Sequence, residues 1–207
     1  TVGLITYMRT DSLRISEEAL SAARSFITQR YGREYCPKSP RRFRTKGSAQ
    51  DAHEAIRPSV VSLTPEDIKS SVTGDQYRLY RLIWSRFIAS QMANAVYDAV
   101  TIDVESAGYI FRANHSALKF PGHTKVYDDS REEDQDSAKK PLPDLREGET
   151  VRLEKLEKEQ KFTQPPSRYT EATLIRAMEE TGVGRPSTYA PTVSTILDRE
   201  YVVKEGR

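Results

Sequence analysis

Gly3-Leu4-Ile5-Thr6-Tyr7-Met8-Arg9-Thr10-Asp11-Ser12 carries more chemistry than any other stretch of this 207-residue chain. An apolar, strand-like start gives way to a phenol, a guanidinium two residues later, and a run of hydroxyl and carboxyl groups. A phenol stays protonated well above neutrality when nothing perturbs it, so it attacks well only beside a positive charge or a proton acceptor. Arg9 can supply that charge, and its planar fork of donors can hold a phosphate on two prongs. If Gly3 to Thr6 leaves a strand, Tyr7 and Arg9 share one face, because side chains alternate along it. A plainer reading stands beside this one. Tyr7 is one of eleven tyrosines, and a tyrosine at a strand end commonly packs half-buried with its hydroxyl satisfied.

Two later blocks carry similar chemistry. Ala52-His53-Glu54-Ala55-Ile56-Arg57-Pro58 offers an imidazole, though on its own His53 reads equally as a histidine on a helix face. Pro165-Pro166-Ser167-Arg168-Tyr169 leads into Gly184-Arg185-Pro186-Ser187-Thr188-Tyr189. There Arg185, Ser187, Thr188 and Tyr189 stand at the start of an expected helix, where backbone N–H groups favour an anion such as a phosphate. The plain alternative is that the arginine and hydroxyls cap the turn.

The Gly3–Ser12 segment resembles the active-site motif of type IA DNA topoisomerases, most closely the bacterial topoisomerase I group. The other two blocks follow in that family's order, and with their spacers they span nearly the whole chain. The resemblance implies that the Tyr7 hydroxyl attacks a phosphodiester of single-stranded DNA, expelling a 3′-hydroxyl and leaving a 5′-phosphotyrosyl link. Arg9 and His53 would join Tyr7 as catalytic residues on the phosphate. Thr10 and Asp11 would orient Arg9 or the DNA backbone, and Arg168, Arg185, Ser187, Thr188 and Tyr189 would bind the strand. It further implies relaxation of negative supercoils by the intact enzyme, a Mg2+ requirement met by a toprim domain absent from this chain, and a cytoplasmic, nucleoid-associated location. No metal site is expected here, because the acids at Asp128, Asp129, Glu132, Glu133, Asp134 and Asp136 form a run rather than a motif behind a strand. The sequence alone is therefore expected to bind single-stranded DNA weakly and not to relax plasmids.

Composition limits the other classes. Charged residues make up 30% of the chain and no apolar run approaches the ~20 residues that span a bilayer. The start at Thr1 has no signal-peptide pattern, and with no initiator methionine it reads as an excised piece. A single cysteine, Cys36, excludes an internal disulfide. A net charge of +2 conceals an asymmetry. Five of the nine residues from Lys38 to Lys46 are basic and none is acidic, a run that with Phe43 suits a phosphate backbone or is simply a solvated loop.

Local signals predict an α+β fold. Ser16-Glu17-Glu18 opens a helix whose Leu20, Ala23, Ile27 and Tyr31 recur at helical spacing before Gly32. Ala49 to Ile56 is a short helical candidate, and Thr64-Pro65-Glu66-Asp67 is another helix start. A longer helix is expected from about Asp75 to Ala95, with Leu79, Ile83, Phe87, Ile88 and Met92 near one face. Val100 to Glu105 alternates, Gly108 breaks the run, and Tyr109-Ile110-Phe111 resumes it. Leu118-Lys119-Phe120 and Thr150 to Leu156 extend this strand character. Thr170-Glu171 caps a further helix, Ser187 opens another, and Tyr201-Val202-Val203 reads as a strand, a helix-turn-helix-like order. The division expected is 1–96, a helical, winged-helix-like domain with Tyr7; 97–163, a β-rich arch segment; and 164–207, a partial helical DNA-binding domain. Two other readings compete: a non-catalytic helix-turn-helix DNA-binding module in which Tyr7 is irrelevant, and an arch with no DNA affinity.

Overall fold

The computed structural model describes residues 3–8, 10, 12–43, 53–128 and 142–205. It is α+β, with five α-helices and one two-stranded antiparallel sheet among those residues. The chain forms two compact units, Thr1–Asp144 and Leu145–Arg207.

In the first unit, α1 (Glu17–Tyr31) begins where the Ser16 hydroxyl accepts a hydrogen bond from the Ala19 amide, and Glu17 and Glu18 face the positive end of the helix. Leu20, Ala23 and Ile27 fall on its buried face, as their spacing predicts. A short helix, α2 (Pro65–Ile68), is set by Thr64, whose amide and hydroxyl both donate to the Asp67 carboxylate. The long helix α3 (Gly74–Gln91) starts at a reciprocal cap between Thr73 and Gln76. Its buried face is Tyr80, Trp84, Phe87, Ile88 and Gln91, with Met92 just beyond it. The sequence expectation placed Leu79 on that face, yet Leu79 is exposed. The reason is polar anchoring. Tyr80 Oη donates to the Leu63 carbonyl at 2.7 Å and Trp84 Nε1 to the Val61 carbonyl at 3.0 Å, which turns the aromatics inward and Leu79 out. Phe26 of α1 meets Trp84 edge-on, with centroids 5.5 Å apart.

The helix also stops earlier than expected. Met92 is extended, and the Ala93 amide leaves the helix to donate to the Tyr35 carbonyl at 2.8 Å. The chain then enters a hairpin of β1 (Val96–Ser106) and β2 (Tyr109–Phe120), turned at Ala107-Gly108 with positive φ at both residues. Its root is fixed to the body: His123 donates through its amide to the Ala93 carbonyl, and the Phe120 ring lies 4.7 Å from Tyr35. Gly122 is required here, because at φ +48° a Cβ would stand 2.4 Å from the Asn94 carbonyl carbon. Most of the ribbon is exposed on both faces.

The expected third strand at Thr150 to Leu156 does not form. Val151, Leu153 and Leu156 are exposed and no ladder engages the segment among the described residues. Alternation shows which faces a strand would have, but a strand also needs a neighbour's hydrogen bonds.

In the second unit, α4 (Glu171–Thr181) opens on a Thr170–Thr173 cap and closes at Gly182, whose amide and that of Val183 return to Glu179 and Met178. The second helix, α5 (Tyr189–Asp198), starts one residue later than expected, with Thr188 rather than Ser187 flanking it. Tyr201-Val202-Val203 is not a strand. Glu200 takes positive φ, the Tyr201 amide returns to Ile196, and the three residues lie exposed.

Candidate active site

Residues 53–59 are held by two stretches that flank Tyr7 in the chain. Leu4 to Thr6 runs antiparallel to Arg57 to Ser59: Ile5 bridges Pro58, the Thr6 amide donates to the Arg57 carbonyl at 2.9 Å, and the Ser59 amide donates to the Leu4 carbonyl at 3.0 Å. The other arm, Ser12 to Arg14, lies along His53 to Ala55. There the Ala55 amide donates to the Arg14 carbonyl at 2.8 Å, and the Ser12 hydroxyl donates to the His53 carbonyl at 2.6 Å. Ala55 shows the arrangement best. Its N–H goes to Arg14 while its carbonyl accepts from the Thr6 hydroxyl at 2.8 Å. Both stretches therefore meet at Ala55, with Tyr7 lying between them in the chain.

These bonds overturn the expected helix over Ala49 to Ile56 in its described part. Residues 53–56 are not helical. Their backbone groups are engaged by the Tyr7 arms, and Pro58 follows with no N–H to donate. Residues 49–52 lie outside the described residues. Gly3 to Thr6 is likewise no full strand, pairing only at the Ile5 bridge.

Tyr7 sits on the connecting segment and is 70% exposed. Its ring centroid lies 6.1 Å from that of His53, with the planes tilted by 35°. The two best chemical candidates from different sequence blocks are therefore neighbours. Thr10 is exposed nearby in sequence. Arg9 and Asp11 lie outside the described residues, so their positions add nothing to this geometry. Arg57 closes the far end: its guanidinium is 2.7 Å from the Glu54 carboxylate and donates to the Pro58 carbonyl at 3.0 Å, and its Nε is buried without a partner. Beside it a groove of about 420 Å³ opens between Arg57 to Ser62 and the exposed flank of α1.

The basic run is described only as far as Phe43, which is exposed. Arg41 is fixed rather than free. Its amide donates to Gln91 Oε1 at 3.2 Å, its carbonyl accepts from Gln91 Nε2, and its guanidinium donates to Asn94 Oδ1. Arg42 pairs with Glu17 at 2.6 Å on the surface. Arg44, Lys46 and the acidic run from Asp129 onward lie outside the described residues, and no group of three or more His, Cys, Asp or Glu suited to a metal ion occurs among those described.

In the second unit, the Arg185 turn is closed by its own residues. The Arg185 amide donates to Thr188 Oγ1 at 2.8 Å, Thr188 Oγ1 donates back to the Arg185 carbonyl at 3.1 Å, and the guanidinium donates to the Gly184 carbonyl at 2.9 Å. Arg185 and Ser187 are exposed, whereas Tyr189 is buried with its ring against Gly184. Arg168 and Tyr169 are exposed ahead of α4 and line a groove of about 880 Å³ floored by Leu174, Val193, Ile196 and Leu197. Arg185, Ser187, Thr188 and Tyr189 do not line it.

A sequence model of the family described as DNA topoisomerase matches residues 1–207. The full-length topoisomerase I of Thermotoga maritima is a similar solved structure, with 36% sequence identity and a TM-score of 0.78, covering 99% of this chain and 32% of that one. The chain belongs to the bacterial type IA DNA topoisomerases. It thus spans about a third of the length of that topoisomerase I. No helix of this type IA topoisomerase chain is long and apolar enough to cross a membrane among the described residues.

Within this topoisomerase chain, sequence reasoning missed Thr6, Ser12 and Arg57. All three lie inside the motif blocks, but the blocks advertise a phenol, an arginine and an imidazole. Only the presence of hydroxyls on both sides of Tyr7 could have pointed to Thr6 and Ser12. Shifted ionisations occur in the scaffold: burial raises Tyr31 and Tyr80, and hydrogen bonds from Thr64, Arg112 and Lys204 lower Asp67, Asp103 and Glu171.

Proposed function

We propose that this chain carries the nucleophilic half of a DNA strand-cleavage site, with Tyr7 as the point of covalent attachment. The observation that supports this most is the pairing of an exposed Tyr7 phenol with His53 across segments 46 residues apart in sequence. The Tyr7 oxygen forms a bond to phosphorus of single-stranded DNA as the bond from phosphorus to the 3′-oxygen breaks. The phenolic proton leaves Tyr7, and the departing 3′-oxygen ends as a hydroxyl. One phosphodiester is exchanged for another, so the reverse attack by that hydroxyl reseals the strand without a nucleotide cofactor. Passage of a strand through the transient break relaxes negative supercoils.

Arg9 and His53 stabilise charge on the phosphate in this reading, a contribution of the kind that typically reaches ~10²–10³ in rate for one donor. Thr10 and Asp11 orient Arg9 or the DNA backbone. Arg168 holds the strand together with Arg185, Ser187 and Thr188, the last three on the turn that Tyr189 packs. The division into a tyrosine domain at 1–96, an arch at 97–163 and a DNA-binding region at 164–207 belongs to the same reading. In the same reading Mg2+ belongs to a toprim domain of the same enzyme, and we derive no step from it. The enzyme would act in the cytoplasm, on nucleoid DNA.

The test is covalent capture. The enzyme containing this chain, incubated with labelled single-stranded oligonucleotide and quenched in SDS, should yield a stable adduct, and Tyr7→Phe should abolish it. Non-covalent affinity should change by less than about twofold, since one phenolic oxygen contributes little to binding along a strand. An SDS-stable adduct in Tyr7→Phe would sink the proposal. So would the 207-residue chain relaxing a plasmid by itself, because that places the whole site within it.

A further inference from the structure

We propose that the hydroxyls of Thr6 and Ser12 are positioning groups that set Tyr7 against His53, an inference that rests on the strand-cleavage reading above. They bracket the exposed loop: Thr6 immediately precedes Tyr7, and Ser12 ends the connection to the second arm. Both are spent on the segment that carries His53. Ser12 is only 5% exposed; its hydroxyl donates to the His53 carbonyl at 2.6 Å and accepts from the Arg14 amide at 3.3 Å. Thr6 Oγ1 donates to the Ala55 carbonyl at 2.8 Å and accepts from the Arg57 amide at 3.0 Å.

A hydroxyl suits each place because one atom both donates and accepts. At Thr6 it satisfies a carbonyl and an amide two residues apart on the His53 segment. At Ser12 it grips the backbone of His53 itself. Between these two grips the Tyr7 and His53 rings are held at 6.1 Å. Removing a hydroxyl leaves the partner carbonyl or amide short of a bond and frees one end of the loop. The phenol remains present and exposed, but its distance to His53 is no longer fixed. Neither side chain needs to touch DNA, so the loss falls on the chemical step rather than on strand binding.

The experiment uses the intact enzyme, with Thr6→Val, Thr6→Ser, Ser12→Ala and Tyr7→Phe. Single-turnover formation of the SDS-stable adduct is timed at saturating oligonucleotide, alongside the oligonucleotide Kd and the melting temperature. Thr6→Val and Ser12→Ala should slow adduct formation by about 10- to 100-fold, the scale of an ångström-level misplacement. Their Kd should stay within about twofold of the parent, the signature of an interaction that matters only to the reacting geometry. Thr6→Ser, which keeps the hydroxyl, should react at close to the parent rate. The proposal is overturned if Thr6→Val and Ser12→Ala react as fast as the parent. It is equally overturned if Thr6→Ser is as slow as Thr6→Val, or if Kd weakens by the same factor as the rate. Should Ser12→Ala fail to fold, the Thr6→Val and Thr6→Ser pair decides the matter. An adduct in Tyr7→Phe removes the underlying reading; a silent Tyr7→Phe beside fully active clamp variants removes only this inference.

Discussion

The Tyr7 loop and the Arg185 turn both present a polar side chain to solvent, and they are held in opposite ways. Around Tyr7 the fixing bonds join residues 41 to 51 positions apart, from Ser12 to His53 and from Thr6 to Ala55 and Arg57. Around Arg185 they join residues one to four apart, within Gly184 to Tyr189. The first arrangement exists only while the α1–α3 body brings its two segments together. The second is a local motif that carries its own closure. On the strand-cleavage reading proposed above, a nucleophile needs a defined neighbour and so depends on tertiary structure, whereas a backbone-binding arginine needs only a shaped turn.

The largest effect should come from breaking the body. Trp84 is buried, faces Phe26 and donates to the Val61 carbonyl. Trp84→Ala should destabilise the first unit by about 3–5 kcal/mol, the usual range for a buried aromatic reduced to alanine. Denaturant melts give the number, and amide hydrogen exchange gives the contrast. Protection at the Thr6 and Ala55 amides should fall with the stability of the body, while that at the Tyr189 amide should not. Equal loss at both places would show that the turn is not self-contained.

The same contrast explains what was legible in the sequence. Helix starts at Ser16, Thr64 and Thr170 were readable because a cap is written within four residues, and each forms where expected. The hairpin around Gly108 was readable for the same reason. Strand-like residues at Thr150 to Leu156 and Tyr201 to Val203 were visible too, but no local pattern states whether a partner strand will be there. At the candidate site, the motif blocks pointed to Tyr7 and His53, yet they placed His53 on a helix. Residues 53–56 avoid that helix because Thr6 and Arg14 engage their backbone, and those partners are more than 40 residues away in sequence.

A smaller effect should come from breaking the turn. Gly184 has φ +82°, and a Cβ there would stand 3.2 Å from Thr188 Oγ1 and 3.3 Å from the Tyr189 ring. Gly184→Ala should cost the turn about 1–2 kcal/mol through the left-handed backbone alone. In the intact enzyme the expected readout is weaker, less salt-sensitive binding of single-stranded oligonucleotide, with the adduct rate at saturation unchanged. A fall in that saturating rate would mean that the turn and the Tyr7 loop act as one site, and the contrast between them would fail.

The smallest effect concerns a local cap inside the tertiary body, where both kinds of support meet. The Asp67 carboxylate receives the Thr64 hydroxyl at 2.7 Å and the Thr64 amide at 2.8 Å, and those bonds hold its pKa below the usual carboxylate range. A carboxyl whose folded pKa is lowered binds its proton more readily when unfolded, so its stabilisation is complete above the unfolded value and is lost as pH falls through the folded one. Acidification across that window should therefore lower the melting temperature of the parent slightly more than that of Asp67→Asn, which has no carboxylate to protonate. The group is solvent-exposed, so the difference should also shrink as salt is added. If the two proteins lose stability in parallel from neutral pH to below 3.8, the cap contributes through shape alone and α2 is held by the burial of Pro65 and Ile68 against the body.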